Sequence, residues 1–192
     1  ETFGDAAWRG AIAVGVGAVV ALVYLAVRFG IGSALTGLVA CVNDVFVTLA
    51  LLAVTRLPLY AASPLLFAAI AAFCSLLLWM VQCAKMRENF KDPVYSSLSS
   101  FEAVEESYKT SLKAVLITGG CIALAFLVVG AVASAGLRLM VLPALIPVAI
   151  ALYSSLLLAP ALHVYVKGAF DKAKAKRTRK YTGKKKADKI AE

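Results

Sequence analysis

Residues 29–55 read FGIGSALTGLVACVNDVFVTLALLAVT, a mostly apolar run in which Asp44 is the only charged residue. A helix of this length crosses a bilayer, because about 20 residues at roughly 1.5 Å of rise per residue span the hydrocarbon core. A carboxylate at that depth must be paired with a cation, face water or stay protonated. Asp44 is therefore the first candidate for a functional residue.

Four further uncharged runs cover residues 10–27, 57–84, 114–137 and 139–166. Each is long enough to span a membrane, and none shows the alternation expected of barrel strands. A composition that is 61% hydrophobic agrees with this reading. Since spanning helices satisfy their own backbone hydrogen bonds, we predict an all-α, polytopic membrane helix bundle with five transmembrane helices.

The basic residues predict the orientation of these spans. If the five runs cross in succession, one side of the membrane receives three Lys or Arg residues and the other side seventeen. The side with seventeen is expected to be cytoplasmic, which places the N-terminus outside and the C-terminus in the cytoplasm. No initiator Met or signal peptide precedes the first run, so we expect an upstream segment in the complete protein.

This topology predicts three parts of the chain: an extracytoplasmic stub at 1–9, a membrane domain at 10–166 with a cytoplasmic loop at 85–113, and a basic tail at 167–192. The tail holds eleven basic and three acidic residues. It is either a solvated segment that fixes orientation or a surface that attracts anionic membrane lipid or ribosomal RNA. With few aromatic residues between the charges, we expect no specific recognition of nucleic acid.

Small and polar residues follow helical stripes inside two of the spans. Gly37, Cys41, Asp44 and Thr48 share one face of the second span, and Ser75, Trp79 and Gln82 share a face of the third that leads toward Lys85. Such stripes turn toward other helices, either as ordinary packing or around a functional group. The residues predicted to pack at helix contacts are Gly37, Thr118, Gly119, Gly120, Ser154 and Ser155.

Two segments carry signals for irregular or interfacial structure. Pro143, Pro147 and Pro160 predict a bent fifth span, because proline removes backbone hydrogen bonds. In the loop, the pattern that begins at Ser100 and places apolar residues up to Tyr108 predicts a capped amphipathic helix on the cytoplasmic membrane surface. A solvated loop is the alternative.

The sequence offers little for catalysis or metal binding. The four cysteines lie in apolar runs without CxxC spacing, which is typical of small buried hydrophobes. His163 is the only histidine, Ser154 and Ser155 have no paired base, and no phosphate-binding loop is present. We expect no enzymatic activity, cofactor or metal ion. The cysteines are Cys41, Cys74, Cys83 and Cys121.

Short motifs occur in order along the five spans. They are Tyr24, Arg28-Phe29, Asn43-Asp44-Val45, Arg87-Glu88-Asn89-Phe90, Leu116-Ile117-Thr118, Tyr153-Ser154-Ser155 and Ala159. In this order and register, from about Glu1 to Lys167, they resemble the SecF family of protein-export membrane proteins, within the resistance-nodulation-division superfamily.

The resemblance implies a six-helix unit of which this chain supplies helices two to six, in the cytoplasmic (inner) membrane of a bacterium or archaeon. It implies that proton flow helps to pull polypeptide across the membrane. The implied partners are a SecD-like subunit, the Sec translocon and the exported polypeptide. A small-molecule or lipid exporter of the same superfamily and a structural membrane partner without proton coupling are the alternatives.

The resemblance also implies roles for individual residues. Asp44 occupies the position of the family's proton carrier, and Lys85 and Arg87 fall on the two arginines of a segment that supplies its basic partner. Asn43 stands where the family has histidine. The chain also departs from the family at Ser75-Leu76-Leu77-Leu78, which replaces Ser-Leu-Asn-Asp, and at Ala114, which replaces an arginine. Either Asp44 works with water, Asn43 and Lys85, or coupling is lost.

Overall fold

The computed structural model describes residues 3–55, 63–91, 100–166 and 168–169, and no strand occurs among them. Five helices in these segments are long and apolar enough to cross a membrane. The predicted all-α bundle with five transmembrane helices is therefore confirmed. The predicted basic tail lies outside the described residues except for 168–169.

The first two helices are α1, Phe3–Phe29, and α2, Ile31–Thr55. α1 begins inside the segment predicted as a stub. The helices are separated by Gly30, whose φ of 97° suits glycine because a side chain strains this left-handed conformation. The Gly30 N–H donates to the Ala26 carbonyl at 3.1 Å, which ends α1 in the manner of a glycine cap.

Helix α3, Ser63–Asn89, is the central helix of the bundle. It contacts α1, α2 and both remaining spans. One packed cluster lies between α1, α2 and α3 and includes Leu25, Ala40, Leu76 and Trp79. A second lies between α3 and the last two spans and includes Val115 and Val148.

Helix α4, Ser100–Val132, runs without a break from the predicted loop into the fourth span. The prediction of a helix beginning at Ser100 is right, but its placement flat on the membrane surface is wrong. No glycine or proline separates the amphipathic segment from the apolar run, so one continuous helix extends the span beyond the membrane.

The fifth span is interrupted twice. It consists of α5, Ala135–Val141, and α6, Leu145–Tyr153, followed by a π-helix, Ser154–Leu158, and a last helix, α7, over residues 159–166. The first interruption falls at Pro143, as predicted. The second precedes Pro160, which has no N–H to continue the α-helical pattern, and the Ala159 N–H donates five residues back to the Ser154 carbonyl.

The outer faces of the bundle are apolar. Large hydrophobic side chains such as Val20 in α1, Phe46 in α2 and Leu124 in α4 are exposed. Because lipid tails solvate these groups as well as protein does, their exposure suits a membrane environment. Cys41, Cys74 and Cys83 are buried as predicted, whereas Cys121 is exposed on α4.

Candidate functional site

The carboxyl group of Asp44 lies in the interior of the bundle and has no solvent exposure. α2 places it there because its buried residues, among them Gly37, Cys41, Asp44 and Thr48, follow one face of the helix. The predicted stripe therefore faces the other helices. The small residues on either side of Asp44 allow α3 to pack closely against α2.

The Asp44 carboxyl is surrounded by neutral polar groups. Asn43 Nδ2 donates to Asp44 Oδ1 at 3.3 Å, while the hydroxyls of Ser75 from α3 and Ser154 from the π-helix lie within interaction range of the carboxyl. Asp44 Oδ2 and Ser154 Oγ nevertheless make no hydrogen bond with the described residues. One carboxyl oxygen thus has unused capacity in a buried position, where an unpaired polar atom is costly.

Neither predicted cationic partner reaches Asp44. The exposed Lys85 ammonium pairs with Glu88 Oε2 at 2.7 Å, and Arg87 Nη1 donates to the Arg28 carbonyl oxygen at 3.0 Å. At about 100° per residue, the face of α3 that carries Ser75 continues to Met86, and Lys85 lies roughly 80° away from it. The predicted relay from Asp44 to these two basic residues is not assembled among the described residues.

Trp79 connects three elements between Asp44 and the α1–α2 turn. Its Nε1–H donates to the Ser33 carbonyl oxygen at 2.8 Å, and its ring meets the His163 ring edge-on with centroids 5.4 Å apart. A Cβ on Gly37 would approach Trp79 Cδ1 to 2.8 Å. The predicted close approach at Gly37 is therefore made to the Trp79 indole.

The other predicted packing residues behave differently from one another. A side chain on Gly119 would collide with Leu152 of α6, whereas a Cβ on Gly120 would meet no described atom within 4 Å. Gly120 thus differs from the expectation of a helix contact, since it lies on the exposed face of α4. Thr118 donates its hydroxyl to the Ala114 carbonyl, and Ser155 donates to the Leu152 carbonyl.

The sequence did not predict the π-helix, and the stripe that predicted an inward-facing Gln82 did not predict that its amide would lack hydrogen bonds among the described residues. The π-helix positions Ser154. The sequence feature that could have indicated this π-helix is the pair of serines shortly before Pro160. Gln82 is fully buried with both side-chain amide atoms unpartnered among the described residues. A fully buried amide on an otherwise apolar span is a polar position that water could satisfy.

A family model described as protein export membrane protein SecD/SecF, C-terminal, matches residues 2–169. No curated protein and no solved structure gives a significant match.

Proposed function

Because the chain belongs to the SecD/SecF family of protein-export membrane proteins, represented by its C-terminal membrane region, we propose that it is a SecF-type subunit driven by protons. In this proposal a SecD-like subunit and the Sec translocon are its partners in the cytoplasmic membrane, and exported polypeptide is its cargo. The segment's N-terminus faces outward, and its basic tail meets anionic lipid in the cytoplasm.

The burial of Asp44 among neutral polar groups is the observation that supports proton transport. The carboxyl has full burial and one oxygen without a hydrogen bond among the described residues. A charged aspartate at a helix centre costs on the order of 3 kcal/mol in a membrane, so an aspartate without a role would be readily lost. A neutral carboxyl can donate its proton to a hydroxyl such as that of Ser154, and a charged one can only accept.

The π-helix offers a means by which protonation of Asp44 changes the conformation. It packs against α2 and α3, which carry Asp44 and Ser75. A π-turn is a rare, single-turn feature often found at functional sites. We propose that gain and loss of the Asp44 proton reverse the donor and acceptor roles around Ser154 and thereby favour two arrangements of the fifth span.

Because Lys85 and Arg87 do not contact Asp44, the proposed proton pathway cannot run through them. With no cation beside the carboxyl among the described residues, the charged state of Asp44 requires water or a group from a partner subunit. The Thr48 hydroxyl, one helical turn from Asp44, is buried and has no hydrogen bond among the described residues. It is the proposed neighbour through which water reaches Asp44 from the outer side.

Asp44→Asn tests this proposal because it retains the shape of the side chain and removes its proton. We expect the variant to assemble with its SecD-like partner but to lose the proton-dependent stimulation of export by at least about 100-fold, the lower end of the range for losing a proton-transfer group. The measurement is export into inverted membrane vesicles with and without a proton gradient.

Thr36→Val is the matched control, since it removes one buried hydroxyl from α2, bonded only to the Gly32 carbonyl of the same helix, without removing a titratable group. We expect it to keep a clear response to the gradient. If Asp44→Asn retains the full response, Asp44 is structural, and the proposal of a structural partner without proton coupling gains support.

A further inference from the structure

A cavity of about 510 Å³ opens where α1 ends, α2 begins and α3 makes its last turns. Its lining includes the side chains of Arg28, Arg87 and His163, and none of the described residues that line it is a carboxylate. The cavity lies at the end of the bundle that the basic residues assign to the cytoplasm. Its lining therefore favours a ligand with negative charge at the level of the membrane surface.

The two arginines are held together and remain available to a ligand. Arg87 Nη1 donates to the Arg28 carbonyl oxygen at 3.0 Å, which fixes the guanidinium of α3 against the end of α1. No carboxylate among the described residues forms a salt bridge with either arginine. A guanidinium has five N–H groups, so most of the donors of Arg87 are unused by this contact. The oxygens of a phosphate or a carboxylate accept such donors in pairs.

The first turn of α2 adds backbone donors to the same cavity. The Gly30 carbonyl accepts hydrogen bonds from the Ser33 and Ala34 N–H groups, so the N–H groups of Ile31 and Gly32 precede the first bonds within the helix. Gly32 lines the cavity and has no side chain to cover them. A helix N-terminus with free N–H groups favours phosphate, and here it adjoins two arginines.

The remaining lining is apolar and includes Phe29, Met86 and Phe90. An inorganic ion would leave these groups without a partner, whereas a lipid places its glycerol and first acyl carbons beside its phosphate. We propose that this cavity binds the phosphate group of an anionic phospholipid, with Arg28, Arg87 and the first turn of α2 as its donors. The site is separate from Asp44 and from the basic tail.

The test is binding of phosphatidylglycerol to the purified full chain in detergent, measured by native mass spectrometry. We expect Arg28→Gln and Arg87→Gln each to weaken binding about fivefold, the value of one basic residue near a membrane surface. Lys85→Gln is the matched control, because Lys85 lies on the same end of α3 but outside the cavity. Its binding should change less than twofold.

Arg28→Gln is the decisive variant, since the Arg28 side chain makes no hydrogen bond or salt bridge among the described residues whose loss would disturb folding. Unchanged lipid binding by this variant would show that the tail or the general surface attracts the lipid, and it would overturn the proposal. Equal binding of phosphatidylcholine would exclude the requirement for an anionic lipid. Displacement of phosphatidylglycerol by millimolar inorganic phosphate would identify a free phosphate site instead, whereas failure of phosphate to compete supports the lipid.

Discussion

At the scale of single residues, Asp44 is fully buried, and the groups around its carboxyl among the described residues are neutral. The sequence identifies Asp44 because acidic residues are rare in membrane spans, but it gives no direct information about neighbours on other helices. Ser75 and Ser154 take the place that Lys85 was expected to hold. The local environment of Asp44 is therefore one of hydroxyl and amide groups.

Gly119 and Gly120 provide a sharp prediction because they are adjacent and have opposite surroundings. Gly119→Leu should lower the free energy of unfolding by roughly 1–3 kcal/mol, since its side chain collides with Leu152. The side chain introduced by Gly120→Leu points into open space. The free energy of unfolding of this variant should therefore stay within about 1 kcal/mol of the wild-type value, and the higher helix propensity of leucine should raise it. Thermal unfolding in detergent measures both. Equal midpoints would contradict the assigned rotation of α4.

Trp79 supports a second prediction at this scale. Trp79→Phe keeps an aromatic ring but removes the Nε1–H that donates to the Ser33 carbonyl, and it leaves space where the larger ring was. We expect a loss of about 1–2 kcal/mol in the free energy of unfolding. Phe73→Leu, on the exposed face of the same helix, is the control and should cost less. A larger loss from Phe73→Leu than from Trp79→Phe would show that the stabilising aromatic contact lies on the exposed face of α3, which would contradict the assigned orientation of this helix.

At the scale of elements, the π-helix is a local insertion in an otherwise α-helical span. Ala159 donates to Ser154 across five residues, so this turn holds one residue more than an α-helical turn. Deleting one residue from it should restore an α-helix and leave both flanking helices in place. The same deletion within a regular α-helix turns every following residue by about 100°.

Deletion of the exposed Leu157 should therefore preserve assembly with the partner and a melting midpoint close to that of the wild type. Deletion of Ile117, equally exposed but within the regular helix α4, should destabilise the bundle because it rotates Gly119 and the apolar face that follows. Fluorescence-detected gel filtration after heating compares the two. Similar decreases in the melting midpoint for both deletions would contradict the prediction that the π-helix can lose one residue without rotating the helix that follows it.

At the scale of the whole molecule, the arrangement of charge predicts the orientation of the five spans. Three basic residues lie on one side and seventeen on the other. Glu105→Cys on the extension of α4 and Ser134→Cys between α4 and α5 place probes at opposite ends of the bundle. A membrane-impermeant thiol reagent added to intact cells should label Ser134→Cys and spare Glu105→Cys. Labelling of Glu105→Cys but not of Ser134→Cys would show that the orientation is the opposite of the predicted one.

The sequence by itself determined the number and type of the membrane helices and the break at Pro143, and it selected Asp44 as the candidate functional residue. Hydropathy, helical period and proline are local properties, so they can be read along the chain without knowledge of the fold. The same information fixed the buried face of α2, because residues three and four apart share a side of any helix.

Tertiary structure alone decided which groups meet across helices. The rotation of α3 places Ser75 beside Asp44 and turns Lys85 toward Glu88, and the π-helix brings Ser154 to the same carboxyl. The rotation of α4 separates Gly119 from Gly120, and the continuity of that helix removes the predicted surface segment. These outcomes depend on how whole helices pack against one another, and side-chain packing between distant segments leaves no periodic signal in the sequence.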